Sequence, residues 1–245
     1  MIVLPCRVEA RSEAERKGAV MGMEIINGDS EMLWQERQTE SLLLEPGVIW
    51  EHIGDSGEGV ETQETTDRIF GSPEKDAENW HLQVQDSSCA ICCQEFVAEQ
   101  LLGEDFSEEN MSRFATERGW YDPEMGTTMS DVGKLLEAMG LRVERSHMAD
   151  LSEVAGDLES GGKVMCAVCC EVLANPDLDR CIGLSANHMV QVTGIDATNP
   201  ADIKVILNDP GVENGKGRCI SAKTFLKSWK YSGNYAVSTW KGDEA

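Results

Sequence analysis

The chain has 245 residues, of which 41% are hydrophobic, and it carries a formal net charge of −23. This length and apolar content are enough for one substantial domain with an extension. The negative charge argues against DNA, RNA and anionic membranes as partners, because phosphate binding depends on clustered Lys and Arg. The same charge favours solubility and attraction to basic peptides.

Neither a membrane span nor a secretory signal is predicted. No apolar run approaches the roughly 18–20 residues needed to cross a bilayer, and residues 1–20 lack the apolar centre of a signal peptide. The nine cysteines are an odd number, which fits reduced thiols better than a disulfide framework. We therefore expect a cytoplasmic protein; its oligomeric state is not predicted.

The first part of the chain has a different composition from the rest. Between residues 24 and 78 acidic residues recur every few positions, and the stretch 54–66 (GDSGEGVETQETT) has no apolar periodicity. We predict an acidic extension over residues 1–76, partly disordered or docked through its short apolar clusters. Residues 77–245 are predicted to form the main domain.

Four helices are predicted in the first half of this domain. Each follows a small polar residue and ends at a glycine, over about 88–102, 107–119, 128–140 and 150–160. The first is capped by Ser87 or Ser88. Asp150 with Glu153 is typical of a capping box at the start of the fourth.

The second half is predicted to consist mainly of strands. Residues 163–172 are apolar on both faces, as in a central strand, and residues 188–195 and 203–208 form a hairpin around residues 199–200. A helix over about 221–231 and a strand over 234–240 complete the chain. Helices followed by antiparallel strands indicate an α+β fold.

Cys89 lies in the first turn of the first predicted helix. The unpaired backbone N–H groups and the positive end of the helix dipole favour a thiolate there. Gln83, six residues earlier, could donate to a developing oxyanion together with the Cys89 backbone N–H. The alternatives are a buried structural cysteine and, for the donor, Gln85.

His188 opens the strongly patterned strand 188–195. If the hairpin is symmetric about its turn, His188 pairs with Asp209 and Val190 pairs with Leu207. Residues directly opposite each other have Cβ atoms roughly 4.5–5.5 Å apart, so this register places a carboxylate beside the imidazole. Asp196 falls at the far end of the hairpin. The alternative is a strand-edge histidine followed by a turn-forming Asn-Asp-Pro.

Together these residues resemble a known family. The ordered set is Gln83-x5-Cys89, Gly126-Thr127, a late strand beginning His188-Met189-Val190, and Asn208-Asp209-Pro210. It resembles the bacterial peptidases that process bacteriocin leaders after a double glycine, and their stand-alone relatives in the papain-like clan, over residues 78–240. Many members have Asp-Cys-Gly where this chain has Ser-Cys-Ala, and the chain has no transporter region.

The resemblance implies a papain-like fold and a cysteine peptidase acting on a peptide or protein. In such an enzyme His188 draws the proton from Cys89, Asp209 holds the imidazole ring, and Gln83 helps to stabilise the tetrahedral intermediate. The resemblance implies no metal or other cofactor.

Two alternatives stay open. Two CxxCC segments, at residues 89–93 and 166–170, could supply a zinc tetrathiolate, although the first is predicted in a helix and the second in a buried strand. The same triad could also transfer an acyl group to an amine, or the domain could bind a peptide without cleaving it.

Overall fold

The computed structural model describes residues 68–180 and 183–242. The helices are α1 (Pro73–Asp76), α2 (Cys89–Leu102), α3 (Glu108–Glu117), α4 (Lys134–Ala138), α5 (Leu151–Glu159), α6 (Cys170–Ala174) and α7 (Ala222–Trp229). The strands are β1 (Ile69–Gly71), β2 (Arg142–Ser146), β3 (Lys163–Val168), β4 (His188–Asp196), β5 (Lys204–Asn208), β6 (Arg218–Ser221) and β7 (Ala236–Trp240). Within these residues no helix is long and apolar enough to span a bilayer.

All the strands belong to one antiparallel sheet. The order is β2-β7-β3-β4-β5-β6, and β1 pairs with the end of β4. This sheet with its helices confirms the predicted α+β class. The predicted extension lies largely outside the described residues, and its boundary at residue 76 stays a prediction; β1 and α1 precede that boundary.

The helix signals act locally. Helix α2 ends at Gly103, whose φ of 73° lies in the left-handed region that glycine adopts without strain. Helix α3 is capped by Ser107, whose hydroxyl accepts from the Asn110 N–H. Helix α5 has the full capping box of Asp150 and Glu153 that the sequence predicts.

Two predicted elements differ from the observed ones. The strand predicted over 163–172 ends at Val168, and α6 begins at Cys170, whose N–H donates to Asn187 Oδ1 at 3.0 Å. A short apolar run does not distinguish a buried strand from a buried helix, which is why the boundary was wrong. In the predicted helix 128–140, only Lys134–Ala138 is regular helix.

Helix α2 is enclosed on two sides. Its Cys89, Cys93 and Val97 belong to the same core cluster as Met165 of β3 and Met189 of β4. The opposite side contributes Ile91 to a second cluster with residues of α3 and α4. The start of α2 is therefore fixed against the centre of the sheet.

Candidate active site

Cys89 is the first residue of α2 and is buried, with 2% of its surface exposed. Ser88 occupies the N-cap position, but its hydroxyl does not cap the helix. The hydroxyl oxygen lies 2.7 Å from Glu108 Oε1 and 2.8 Å from the Gln85 carbonyl oxygen, and its one hydrogen is shared between these two acceptors. The first N–H groups of α2 are thus not occupied by the Ser88 side chain.

His188 is the first residue of β4, opposite Val168 of β3. Its Nε2 lies 2.7 Å from Asp209 Oδ1, and its Nδ1 is buried without a hydrogen-bond partner in the described part of the chain. Burial alone would lower the pKa of His188. The neighbouring Asp209 carboxylate and the nearby Cys89 thiol outweigh burial and hold this pKa well above its usual value.

Asp209 follows β5 directly and is 1% exposed. Its Oδ1 also accepts from the Gly211 N–H at 3.0 Å, and its Oδ2 accepts from Arg218 Nη1 at 2.8 Å. Burial would raise the pKa of Asp209, but the charge and hydrogen bond of His188, the Gly211 N–H and the Arg218 charge lower it to about 2. The carboxylate is therefore ionised and fully hydrogen-bonded.

The hairpin that brings His188 and Asp209 together does not have the predicted register. Leu207 pairs with Val192, not with Val190, and β4 contains one extra residue between Val192 and Gly194. The predicted direct pairing of His188 with Asp209 is therefore wrong. Near His188 the predicted register is off by two residues, so Asp209 lies opposite Val190. Because side chains alternate between faces with a period of two, Asp209 stays on the same face as His188 and is its diagonal neighbour.

Gln83 lies in the loop before α2 and next to the segment that follows Asp209. Its backbone N–H donates to the Pro210 carbonyl at 2.9 Å. Its side-chain Nε2 donates to the Gln85 carbonyl at 2.7 Å, and its Oε1 has no hydrogen-bond partner among the described residues. The competing Gln85 is held elsewhere, because its Oε1 accepts from the Tyr121 hydroxyl at 3.0 Å.

Two residues of this site were not predicted from the sequence. Arg218 contacts Asp209 because β6 pairs with β5, and β6 was not predicted. Gly211 lies so close to His188 that a Cβ atom there would meet Cε1 of the ring at 2.8 Å. The sequence signal that could have predicted β6 is the pair of glycines at 215 and 217, which follow Asp209-Pro210 and indicate a turn before another strand.

The two CxxCC segments do not form a tetrathiolate within the described residues. Cys89, Cys92 and Cys93 lie on α2, Cys166 lies in β3, and Cys169 and Cys170 lie at the start of α6. Cys89, Cys92, Cys93 and Cys166 are free thiols. In this part of the chain the one grouping with metal-ligand geometry is a different set: His81, Cys92 and Glu95.

The described residues have the fold of a C39-like peptidase, which confirms at the level of fold the resemblance seen in the sequence. A protein from Bacillus anthracis, provisionally named a C39-like peptidase, is 14% identical with a TM-score of 0.51, covering 73% of this chain and 100% of its own. The peptidase domain of Streptococcus ComA, a bifunctional ABC transporter involved in a quorum sensing pathway, is 16% identical with a TM-score of 0.47, covering 66% of this chain and 97% of its own. No family model and no curated protein matches the sequence.

Proposed function

We propose that the chain is a cysteine peptidase. Cys89 is the nucleophile, His188 is the base that takes its proton, Asp209 orients the imidazole, and Gln83 donates to the oxyanion. The substrate is a peptide or protein. Proton transfer, attack and hydrolysis require no metal ion in this mechanism.

The observation that carries this proposal is that the two ring nitrogens of His188 have different surroundings. Nε2 is bound to Asp209 at 2.7 Å, while the buried Nδ1 has no partner among the described residues. A carboxylate can only accept, so Nε2 carries a proton and Nδ1 is the nitrogen left to exchange one with the adjacent thiol. The raised pKa of His188 favours the imidazolium that forms when the thiol loses its proton.

The oxyanion is proposed to form at the start of α2. The backbone N–H of Cys89 belongs to the first turn, where no carbonyl of the preceding turn can accept from it. Gln83 Nε2 has two hydrogens, of which the bond to Gln85 uses one. A fixed donor aimed at a developing negative charge is typically worth about 10²–10³ in rate.

Substrate access requires a local opening, because Cys89 and His188 are 2% and 1% exposed. Burial strengthens the ion pair that the thiolate forms with the imidazolium, since the local dielectric constant is low. A site this deeply buried admits an extended chain more easily than a folded domain. We therefore expect an extended, unfolded peptide segment to be a better substrate than a folded protein.

The first experiment compares the wild type with Cys89→Ala on a mixed peptide library, with cleavage products identified by mass spectrometry. The matched control is Cys219→Ser, because Cys219 is the exposed thiol of the described region. We expect cleavage by the wild type and by Cys219→Ser, and none by Cys89→Ala. Cleavage by Cys89→Ala equal to wild type refutes the assignment. Repeating the assay with an added amine measures any acyl transfer.

A second experiment needs no substrate. Iodoacetamide labelling in the Cys219→Ser background, followed site by site, compares Cys89 with the other buried thiols. Burial raises the pKa of Cys92, Cys93 and Cys166, so these thiols should react slowly. A Cys89 activated by His188 should react faster than these thiols, and replacing His188 by Ala should remove that difference.

A further inference from the structure

A second group of chemically reactive side chains lies beside α2, apart from the proposed catalytic residues. It consists of His81 in the loop before the helix and of Cys92 and Glu95, which are three residues apart on α2. One ligand atom from each lies within 4.8 Å of the others. Nitrogen, sulfur and oxygen at this spacing are the ligand types that zinc and neighbouring transition metals accept.

The hydrogen bonding of His81 fixes which ring nitrogen is free. Its Nδ1 lies 3.2 Å from the carbonyl oxygen of Leu82, which can only accept, so Nδ1 carries the proton. In the neutral ring the lone pair is then on Nε2. Metal-binding histidines are typically oriented in this way, by a bond from the other nitrogen to a backbone carbonyl.

Nε2 of His81 lies beside a buried carboxylate. It is 3.2 Å from Glu95 Oε2, which is ion-pair distance without hydrogen-bond geometry, and neither atom has a hydrogen-bond partner among the described residues. The Glu95 side chain is 4% exposed, whereas His81 is 37% exposed and provides a route from solvent. A cation between the two atoms would satisfy both.

Cys92 completes the group from the preceding turn of α2. Its sulfur donates to Glu108 Oε2 at 3.3 Å. A bound cation removes the proton from a coordinating thiol. Glu108 would keep hydrogen bonds after losing the Cys92 donor, because its two oxygens also accept from Ser88 Oγ and from the Val84 N–H.

We propose that His81, Cys92 and Glu95 bind one zinc-like divalent cation. A thiolate, a carboxylate and a neutral imidazole together balance its charge of two, and three protein ligands leave a fourth position for water. The cation would join the loop that carries Gln83 to the helix that begins at Cys89. This site holds no group of the proposed catalytic set, and its binding is measured without any peptidase activity.

The test uses the full-length chain with Cys89→Ala, so that a metal cannot bind the proposed nucleophile. The protein is treated with a chelator, dialysed, and titrated with Co²⁺ and then Zn²⁺. We expect one Co²⁺ per chain with a sulfur-to-cobalt charge-transfer absorption, and its displacement by Zn²⁺. Absence of binding overturns the proposal.

Three ligand variants and two matched controls locate the site. Loss of a ligand by His81→Gln, Glu95→Gln or Cys92→Ser should weaken Co²⁺ binding by more than the roughly 10–100-fold typical of a lost outer-shell partner. The controls His147→Gln and Cys219→Ser should bind as the parent does. Cys92 is buried, so its variant can misfold, and His81→Gln at a half-exposed position is therefore the decisive variant. Unchanged Co²⁺ affinity in a folded His81→Gln protein overturns the proposed site.

Discussion

The contact between Gly211 and His188 gives the sharpest test of the proposed site. In Gly211→Ala the new Cβ would lie 2.8 Å from Cε1 and 3.2 Å from Nε2 of the ring, and 3.4 Å from Asp209 Oδ1. Carbon atoms in contact normally stand about 3.5–4.0 Å apart, so the overlap with the ring is roughly 1 Å. The ring is buried and bonded at 2.7 Å, so it has no free direction in which to move.

Two effects of this overlap can be separated. Overpacking of a filled interior costs about 1–3 kcal/mol of unfolding free energy. A displacement of about 1 Å at a reacting group costs roughly 10²-fold in rate. We therefore expect kcat/KM on the cleaved peptide to fall about 100-fold, and the iodoacetamide reactivity of Cys89 to fall with it. Thermal unfolding measures the stability part independently.

The matched control is Gly156→Ala in α5. Gly156 has no heavy atom within 4 Å of an added Cβ. Alanine in a helix interior is favoured over glycine by about 0.8–1.0 kcal/mol, so this variant should be slightly more stable and equally active. A folded Gly211→Ala protein with wild-type kcat/KM and wild-type Cys89 reactivity would refute the assignment of His188 as the base.

Three further predictions concern the carboxylate and the helices. Asp209→Asn should lower kcat by roughly 10²–10⁴, because the neutral amide no longer stabilises the imidazolium of His188 and has one acceptor oxygen where the carboxylate has two, while the peptide KM changes little in steady-state assays. The pKa of Asp209 is lowered to about 2, so its ionised form stabilises the fold by roughly 2 kcal/mol at pH values above the usual carboxyl pKa. This stabilisation is lost as the pH falls through about 2. Arg218→Gln removes one of the charges that lower this pKa, so acid unfolding followed by circular dichroism should begin at a higher pH; an unchanged midpoint would contradict the contribution of Arg218. Asp150→Ala removes the capping box of α5 and should cost about 1 kcal/mol in denaturant unfolding with no change in peptide cleavage.

Much of the helical half of the fold could be predicted from the sequence. The helix stop at Gly103 and the capping box at Asp150 depend on interactions within a few residues, which local sequence specifies. Helix α2 begins at Cys89 as predicted, but without the predicted side-chain cap, because the Ser88 hydroxyl binds Glu108 and the Gln85 carbonyl. The strands β1, β2 and β6 were missed. Strand β2 is half exposed and rich in charge, and none of the three carries a long apolar run.

The position of Asp209 relative to His188 depends on the long-range pairing of β4 with β5. Near the turn, Asp196 pairs with Lys204, and that register carried straight along the hairpin would put Asp209 on the face opposite His188. The extra residue between Val192 and Gly194 shifts the register by one and returns Asp209 to the face of the imidazole. The isolated glycine at 194 was a local signal for a bulge, but the effect of the bulge on the position of Asp209 follows from the pairing of β4 with β5.

The sequence by itself determined the residue types, their order along the chain, the helix stop at Gly103 and the capping box at Asp150, because these signals act over a single turn. Only the tertiary structure decided the bulge in β4, the bond from Arg218 to Asp209, and the contact of Gly211 with His188. Each of these joins segments that are distant along the chain or displaced in register, and their geometry follows from burying the sheet against α2.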